Sequence, residues 1–316
     1  MGQRSIVAKA DIAVSNLTGQ GGYLNPIQSA TFIRMLQEQP TLMNEIRMVP
    51  MNAPTMELNK IGFATRILRA APAPGSALAA NLRAAPTTDK VELVTSKVKA
   101  EIQIPYDVLE DNIERGGLEN TIMEQITERA SLDLEELVIL GDEDLVLTDP
   151  YLGLYDGLLV QSTSHVVDYT DEMPAITKEV FKAGYKAMPN KYLRNRTMMR
   201  YYTSPDVETE YADYLANRNT GLGDTRISSN FIGALNPYGV PIQTCALMPD
   251  DSYIFTYPKN IIFGIQRDIM IESDRDIRSE MLIIVLTMRC CLKFEEEDAV
   301  VKCIGLNPNG ATTTSA

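Results

Sequence analysis

The chain reads as an α+β protein whose folded body is interrupted by a long arm, and three observations carry that reading. From about Pro50 to Pro105 runs a stretch that cannot fold by itself: its centre, Arg66 to Pro86, is rich in Ala and Pro, spaced by arginines, and lacks the apolar period of a helix or a strand. Behind it, Val94, Ser96, Val98, Ala100, Ile102 and Ile104 alternate with Thr95, Lys97, Lys99, Glu101 and Gln103, the period of a half-buried strand. Good helix formers then fill Leu118 to Leu140, with glycines at both ends and the acidic Glu119 and Glu124 in the first turns. A structured excursion as large as the arm leans on something outside its own domain, and the natural support is a second copy of the chain.

Composition limits the function classes. The 316 residues are 45% apolar and 22% charged, enough to bury one large or two medium cores. A formal charge of -13 and a pI near 4.7 argue against a surface built to neutralise phosphates. The longest uninterrupted apolar stretch, Met281 to Leu286, is the size of a strand and not of a membrane span. The first ten residues lack the apolar core of a secretory signal, so folding in a reducing cytoplasm is expected.

In chain order, a Gly/Asn-rich segment from Asn16 to Pro26 leads into a short helix expected at 27–37. Its glycines are not followed by Lys-Ser or Lys-Thr, which excludes a phosphate loop. After the arm, 107–117 reads as a turn, and the helix from Leu118 would be about 35 Å long. Leu118, Ile122, Ile126, Ala130, Leu134 and Val138 form its apolar stripe, and Gly141 ends it. Asp142, Glu143, Asp144 and Asp149 lack the spacing and distal Glu of a calcium loop and read as a solvated turn. Thr177 can cap a helix that ends near Met188-Pro189; Met198 to Thr203 reads as a buried strand, and Pro205 opens the next helix. A glycine-rich loop spans Thr220 to Asn230, Ile261 to Ile271 alternates as a strand, and a frayed tail starts at Asn307.

Cys245, Cys290, Cys291 and Cys303 have no zinc-site spacing and are too few for a disulfide scaffold. If Met281 to Phe294 and Ala299 to Ile304 form a hairpin, its register sets Cys290 opposite Cys303, a candidate cross-strand thiol pair; two reduced, buried thiols are the default. His165 is the only histidine, which excludes a multi-histidine metal site, and in Ser162-Thr-Ser-His165 it reads as an exposed loop residue.

The succession of elements carries a resemblance. The proline-rich basic arm, the alternating strand, the helix ending in Gly141, the turn Gly157 to Leu159, Thr203-Ser-Pro205, Asn236-Pro-Tyr-Gly-Val-Pro241, Met248-Pro249-Asp250 and the closing apolar strands together resemble the major capsid protein of tailed bacteriophages, with the Hong Kong 97 type capsid fold. The resemblance spans roughly Asn25 to Leu306, and no single motif in it is decisive. It implies an N-terminal arm with a short helix at 1–45, an extended loop hairpin at 46–105 and a peripheral domain with a spine helix at 106–149. It further implies an axial domain at 150–280 with the loop 220–230 at its tip, terminal strands of the peripheral domain at 281–306 and a flexible tail at 307–316.

The function so implied is a non-enzymatic shell that self-assembles from pentamers and hexamers around double-stranded DNA, in the virion, after assembly in the bacterial cytoplasm. Expected partners are further copies of the chain and scaffolding, portal and possibly decoration proteins, with no membrane, metal, cofactor or catalytic residue. Lys60, Arg66, Arg69 and Arg83 are the candidate contacts on the arm, and Glu110, Asp111, Glu114 and the spine-helix carboxylates are candidate acceptors on a neighbour. Some members of the family crosslink an arm lysine to an asparagine of a neighbour. Lys60 is the only arm lysine before Lys90, and no partner motif is evident, so noncovalent assembly is expected. The chain lacks a long N-terminal coiled-coil segment, and Met1 favours a separate scaffold over a trimmed precursor. The alternatives are an encapsulin-type shell around enzyme cargo and, less favoured, a hydrolytic enzyme, for which neither a Gly-x-Ser-x-Gly elbow nor a phosphate loop is present.

Overall fold

Two sheets carry the two larger cores of the described residues. The computed structural model describes residues 42–63, 66–70, 78–79, 81, 83–107, 118–216 and 235–308. Its elements, in order, are β1 (Arg47–Pro50), β2 (Thr55–Gly62), β3 (Thr87–Val94), β4 (Ser96–Pro105), α1 (Leu118–Leu140), α2 (Leu158–Gln161), β5 (Val166–Asp168), α3 (Lys178–Ala187), β6 (Arg200–Thr203) and α4 (Pro205–Ala216). There follow β7 (Ile242–Thr244), β8 (Tyr253–Thr256), β9 (Ile261–Asp276), β10 (Met281–Phe294) and β11 (Val301–Ile304). A four-stranded sheet has the order β1-β9-β10-β4, a five-stranded sheet β5-β11-β8-β6-β7, and β2 and β3 pair as a separate hairpin.

The first core lies between α1 and the four-stranded sheet. Leu282, Ile284, Leu286, Met288 and Cys290 alternate along β10 and are buried with Ile126, Leu134, Leu137 and Val138 of α1. The apolar stripe expected on α1 is the face so used, and the helix spans the residues expected of it. The pairing of β10 with β9 is irregular between Thr287 and Cys290. The extra residues lie on β9, so the alternation of β10 runs unbroken from Leu282 to Leu292. Cys291 faces the other side, where Met51, Leu93 and Ile262 close a small third core under the β2–β3 hairpin. The end of α1 is set by close backbone approach. Gly157 N–H donates to the Gly141 carbonyl at 2.7 Å, and a Cβ on Gly157 would stand 2.7 Å from Gly141 N.

The second core is aromatic. Tyr201 stacks on Phe255 with ring centroids 4.5 Å apart and meets Phe181 edge-on at 5.2 Å. Two buried phenol hydroxyls find backbone acceptors: Tyr253 donates to the Val180 carbonyl at 2.9 Å and Tyr201 to the Phe181 carbonyl at 3.2 Å. Helix α3 starts as expected, with the Thr177 hydroxyl accepting from Glu179 N–H at 3.3 Å.

Buried Asn260 joins the two sheets. Its side-chain amide donates to the Glu296 carbonyl at 2.8 Å and the Thr256 hydroxyl at 3.2 Å, its side-chain oxygen accepts from Glu296 N–H at 2.8 Å, and its carbonyl accepts from Glu295 N–H at 2.8 Å. The residues between β8 and β9 are thereby tied to those between β10 and β11.

Strand pairing and burial correct several expectations. The terminal hairpin does not form: β10 pairs with β9 and β4, whereas β11 pairs with β5 and β8. Cys290 therefore faces Ser96 and Ile265, Cys303 faces Val167 and Tyr253, and both are free buried thiols in different cores. The reason is that Asn260 turns the chain out of one sheet and into the other between Phe294 and Val301, instead of folding it back. The boundary drawn between 280 and 281 consequently divides two strands of one sheet, β9 and β10, while β11 lies in the sheet of β5 to β8. The alternating strand forms as β4 from Ser96 and not from Val94: Leu93 is buried and Val94, the last residue of β3, is 54% exposed, so the inward face changes at Thr95, whose N–H and hydroxyl both donate to the Pro54 carbonyl. His165 is half-buried instead of exposed. The helix at 27–37, the turn residues 108–117, the loop 220–230 and the tail from 309 lie outside the described residues.

Two outcomes follow from this packing. Asn260→Ala removes hydrogen bonds in a buried site and should lower unfolding free energy by about 2–3 kcal/mol in urea titration. Burial pushes the Cys290 and Cys303 thiols up to about 12 and Cys291 up to about 11 from 9.0. The four cysteines should therefore resist iodoacetamide at pH 8 until the chain is unfolded. Because these folded values lie above the unfolded one, their contribution is complete below pH 9 and declines as pH rises beyond it.

Candidate assembly surface

The arm leaves the body through a hairpin whose base is fixed. β2 and β3 pair from Thr55↔Val94 to Gly62↔Thr87. Met56, Leu58 and Val91 pack against Met51, Leu93, Ile262 and Cys291, so one face of the hairpin rests on the four-stranded sheet. Farther out, the Lys60 ammonium donates to the Glu295 carbonyl and to Glu296 Oε1 at 3.0 Å, and its side chain is only 19% exposed. Lys90 pairs with Glu57 across the strands at 2.5 Å.

Beyond Lys60 the arm carries apolar side chains away from any core. Ile61 is 74%, Phe63 51%, Ile67 53% and Leu68 83% exposed, and Arg66 and Arg69, which flank the last two, are exposed as well. A free chain gains nothing from holding four large apolar residues in water. Such a surface marks a place where another molecule is bound.

The predicted contact residues separate accordingly. Lys60 is engaged inside its own chain, Arg83 Nε donates to the Leu78 carbonyl at 3.1 Å, and Arg66 and Arg69 are presented outward. Glu110, Asp111 and Glu114 lie outside the described residues. Sequence reasoning did not single out Glu135, a 3% exposed carboxylate of α1 whose Oε1 accepts from Leu42 N–H at 3.1 Å and so fixes the point where the N-terminal segment joins the body. Its position on the polar side of a stripe gave no sign of burial.

An open groove of about 570 Å³ lies near the Asn260 junction, lined in part by Tyr192, Met198, Tyr257 and Pro258, with Glu45, Glu295 and Glu296 at its sides. Each of these carboxylates already has a cation from its own chain: Arg200 at 3.5 Å, Arg47 at 3.1 Å and Lys60 at 3.0 Å. Among the described residues no group of three or more His, Cys, Asp and Glu could hold a metal ion. No described helix is long and apolar enough to cross a membrane.

No family model matches the chain. The Bacillus subtilis (strain 168) protein named "Putative prophage capsid protein YqbE" is 45% identical to it over 316 residues, covering 96% of this chain and 99% of that one. The chain belongs to the prophage capsid protein family. Solved structures agree in fold: a chain of the satellite phage P4 procapsid that includes the size determination protein superposes with a TM-score of 0.67 at 14% identity, over 93% of this chain and 95% of that one. The SrpI encapsulin of Synechococcus elongatus PCC 7942 does so with a TM-score of 0.54 at 11% identity, over 87% and 90%. The fold is thus the Hong Kong 97 type capsid fold.

The Lys60 anchor of this capsid-family chain has a measurable consequence. Lys60→Met should speed amide exchange at 55–62 and 87–94 by about fivefold, the equivalent of ~1 kcal/mol, while leaving the amides of α1 unchanged in hydrogen-exchange mass spectrometry.

Proposed function

We propose that the chain is the shell-forming subunit of a phage-derived particle, joining as pentamers and hexamers into an icosahedral shell around double-stranded DNA. The observation that carries this reading is the near full-length relationship to a prophage capsid protein. The arm supports it physically: closed rings of one chain need a patch that matches a different patch on the next copy, and the exposed apolar and basic residues beyond Lys60 supply such a patch. The engagement of Lys60 within its own chain supports noncovalent joining of subunits.

The excess of 42 acidic over 29 basic residues suits a container for packed DNA. A cationic lining would hold the genome through many phosphate contacts and impede its movement, whereas net negative charge lets it pass. Scaffolding and portal proteins are the further partners of such a shell, decoration proteins being optional, with assembly in the bacterial cytoplasm and the mature particle as the final location. The role is structural and not catalytic.

Light scattering coupled to size exclusion, with electron microscopy of every peak, tests the reading. Assemblies of five or six times the 35.1 kDa chain mass, or closed shells holding nuclease-protected double-stranded DNA after infection or induction, are expected. A strict monomer in the presence of scaffold-containing lysate and crowding agents overturns it. Shells filled with protein cargo and free of DNA would assign the chain an encapsulin-like role instead.

A further inference from the structure

The turn that follows α1 has two properties that its own fold does not use. Glu143–Leu147 forms a 3-10 turn held from several sides: Asp142 accepts from Asp144 N–H at 3.0 Å, Asp156 accepts from Glu143 N–H at 3.0 Å, and Asp149 accepts from Tyr151 N–H at 3.0 Å. Gly153 packs beneath it so closely that a Cβ there would stand 2.4 Å from the Val146 Cα. Although the backbone is fixed, Leu147 is 94% and Val146 52% exposed. A rigid turn presents these side chains at little entropic cost to a partner, unlike a loop that must first be ordered.

The second property is uncompensated charge. Asp142, Glu143, Asp144, Asp149 and Asp156 surround the two apolar residues, and none forms an ion pair with a Lys or Arg among the described residues. The groove near Asn260 differs in this respect, since each of its carboxylates is paired within the chain. What would complement the turn is a short segment with exposed apolar residues between two unpaired cations. Arg66-Ile67-Leu68-Arg69 on the arm has that composition and exposure, and within one chain its arginines form no ion pair with the turn.

We propose that Arg66–Arg69 of one copy docks on the Glu143–Leu147 turn of another, with Ile67 and Leu68 against Val146 and Leu147 and the two guanidinium groups among the surrounding carboxylates. This rests on the shell-forming role proposed above and names the acceptor of the arm. The apolar contact supplies the attraction, and the charges set register and exclude wrong partners.

Crosslinking tests the contact directly, because the four native cysteines are buried and give little background. Leu68→Cys with Leu147→Cys, assembled and mildly oxidised, should yield a ladder of covalent multimers on a non-reducing gel, and neither single variant should go beyond a dimer. Normal shells without that ladder, or a ladder from Leu68→Cys with Met198→Cys in the groove instead, overturn the docking and leave the shell-forming role intact. A wild-type chain that never assembles overturns both. A charge exchange provides the second arm. Glu143→Lys with Asp144→Lys, whose side chains make no hydrogen bond in the turn, should cut shell yield about tenfold with an unchanged circular dichroism spectrum. Arg66→Glu with Arg69→Glu should do the same, and the four changes together should restore yield to within about twofold. Absence of restoration counts against the pairing.

Discussion

The side chain of Asn260 is the point on which the arrangement of the two sheets depends. A buried primary amide must satisfy both donors and its acceptor, and this one does so by bonding the backbone of Glu296 in both directions while its own carbonyl takes Glu295 N–H. The Thr256 hydroxyl completes the set and itself donates to the Ala299 carbonyl at 2.9 Å. The chain segment between β10 and β11 thus has one geometry, and β11 is delivered to the five-stranded sheet with no freedom to fold back on β10. The same Glu295 and Glu296 receive Lys60, so the direction in which the arm leaves the body is set at the same junction.

Around that junction, β10 does more than one strand usually can. It is interior to its sheet and buried on both faces near its C-terminal end, on one side by α1 and on the other by the base of the arm. Ordinary strand alternation makes this possible, because the adjacent Cys290 and Cys291 point to opposite faces and enter different cores. The helix α1 and the β2–β3 hairpin are therefore coupled through a single strand. In the arm's outer part, by contrast, the described apolar residues Ile61, Phe63, Ile67 and Leu68 are exposed.

The sequence and the fold give different amounts of information about assembly. Arg66 and Arg69 stood out from the sequence because they are basic in an acidic chain, and the structure presents them at the surface. Lys60 stood out for the same reason, yet geometry commits it to Glu295 and Glu296. Charge counts cannot separate these cases, since a cation paired inside the chain and one left for a neighbour have the same sequence signature. The acidic turn after Gly141 reads as an ordinary solvated turn for a similar reason: only coordinates reveal that Asp142, Asp149 and Asp156 accept from backbone N–H groups, that no Lys or Arg among the described residues pairs with them, and that Val146 and Leu147 project from a fixed backbone.

By itself the sequence determined the local elements and the capsid resemblance. The helix from Leu118 to Leu140, the Thr177 cap and the Pro205 helix start follow from periodicity, capping chemistry and proline geometry, which act over a few residues. The tertiary structure alone decided which strands are neighbours, that Cys290 and Cys303 lie in separate cores, and that the inward face changes between Leu93 and Ser96. Strand partners are selected by contacts between residues far apart in the chain, here through the hydrogen bonds of Asn260 and the carbonyl of Pro54, and no local pattern in Met281 to Ile304 distinguishes a hairpin from a crossing between two sheets.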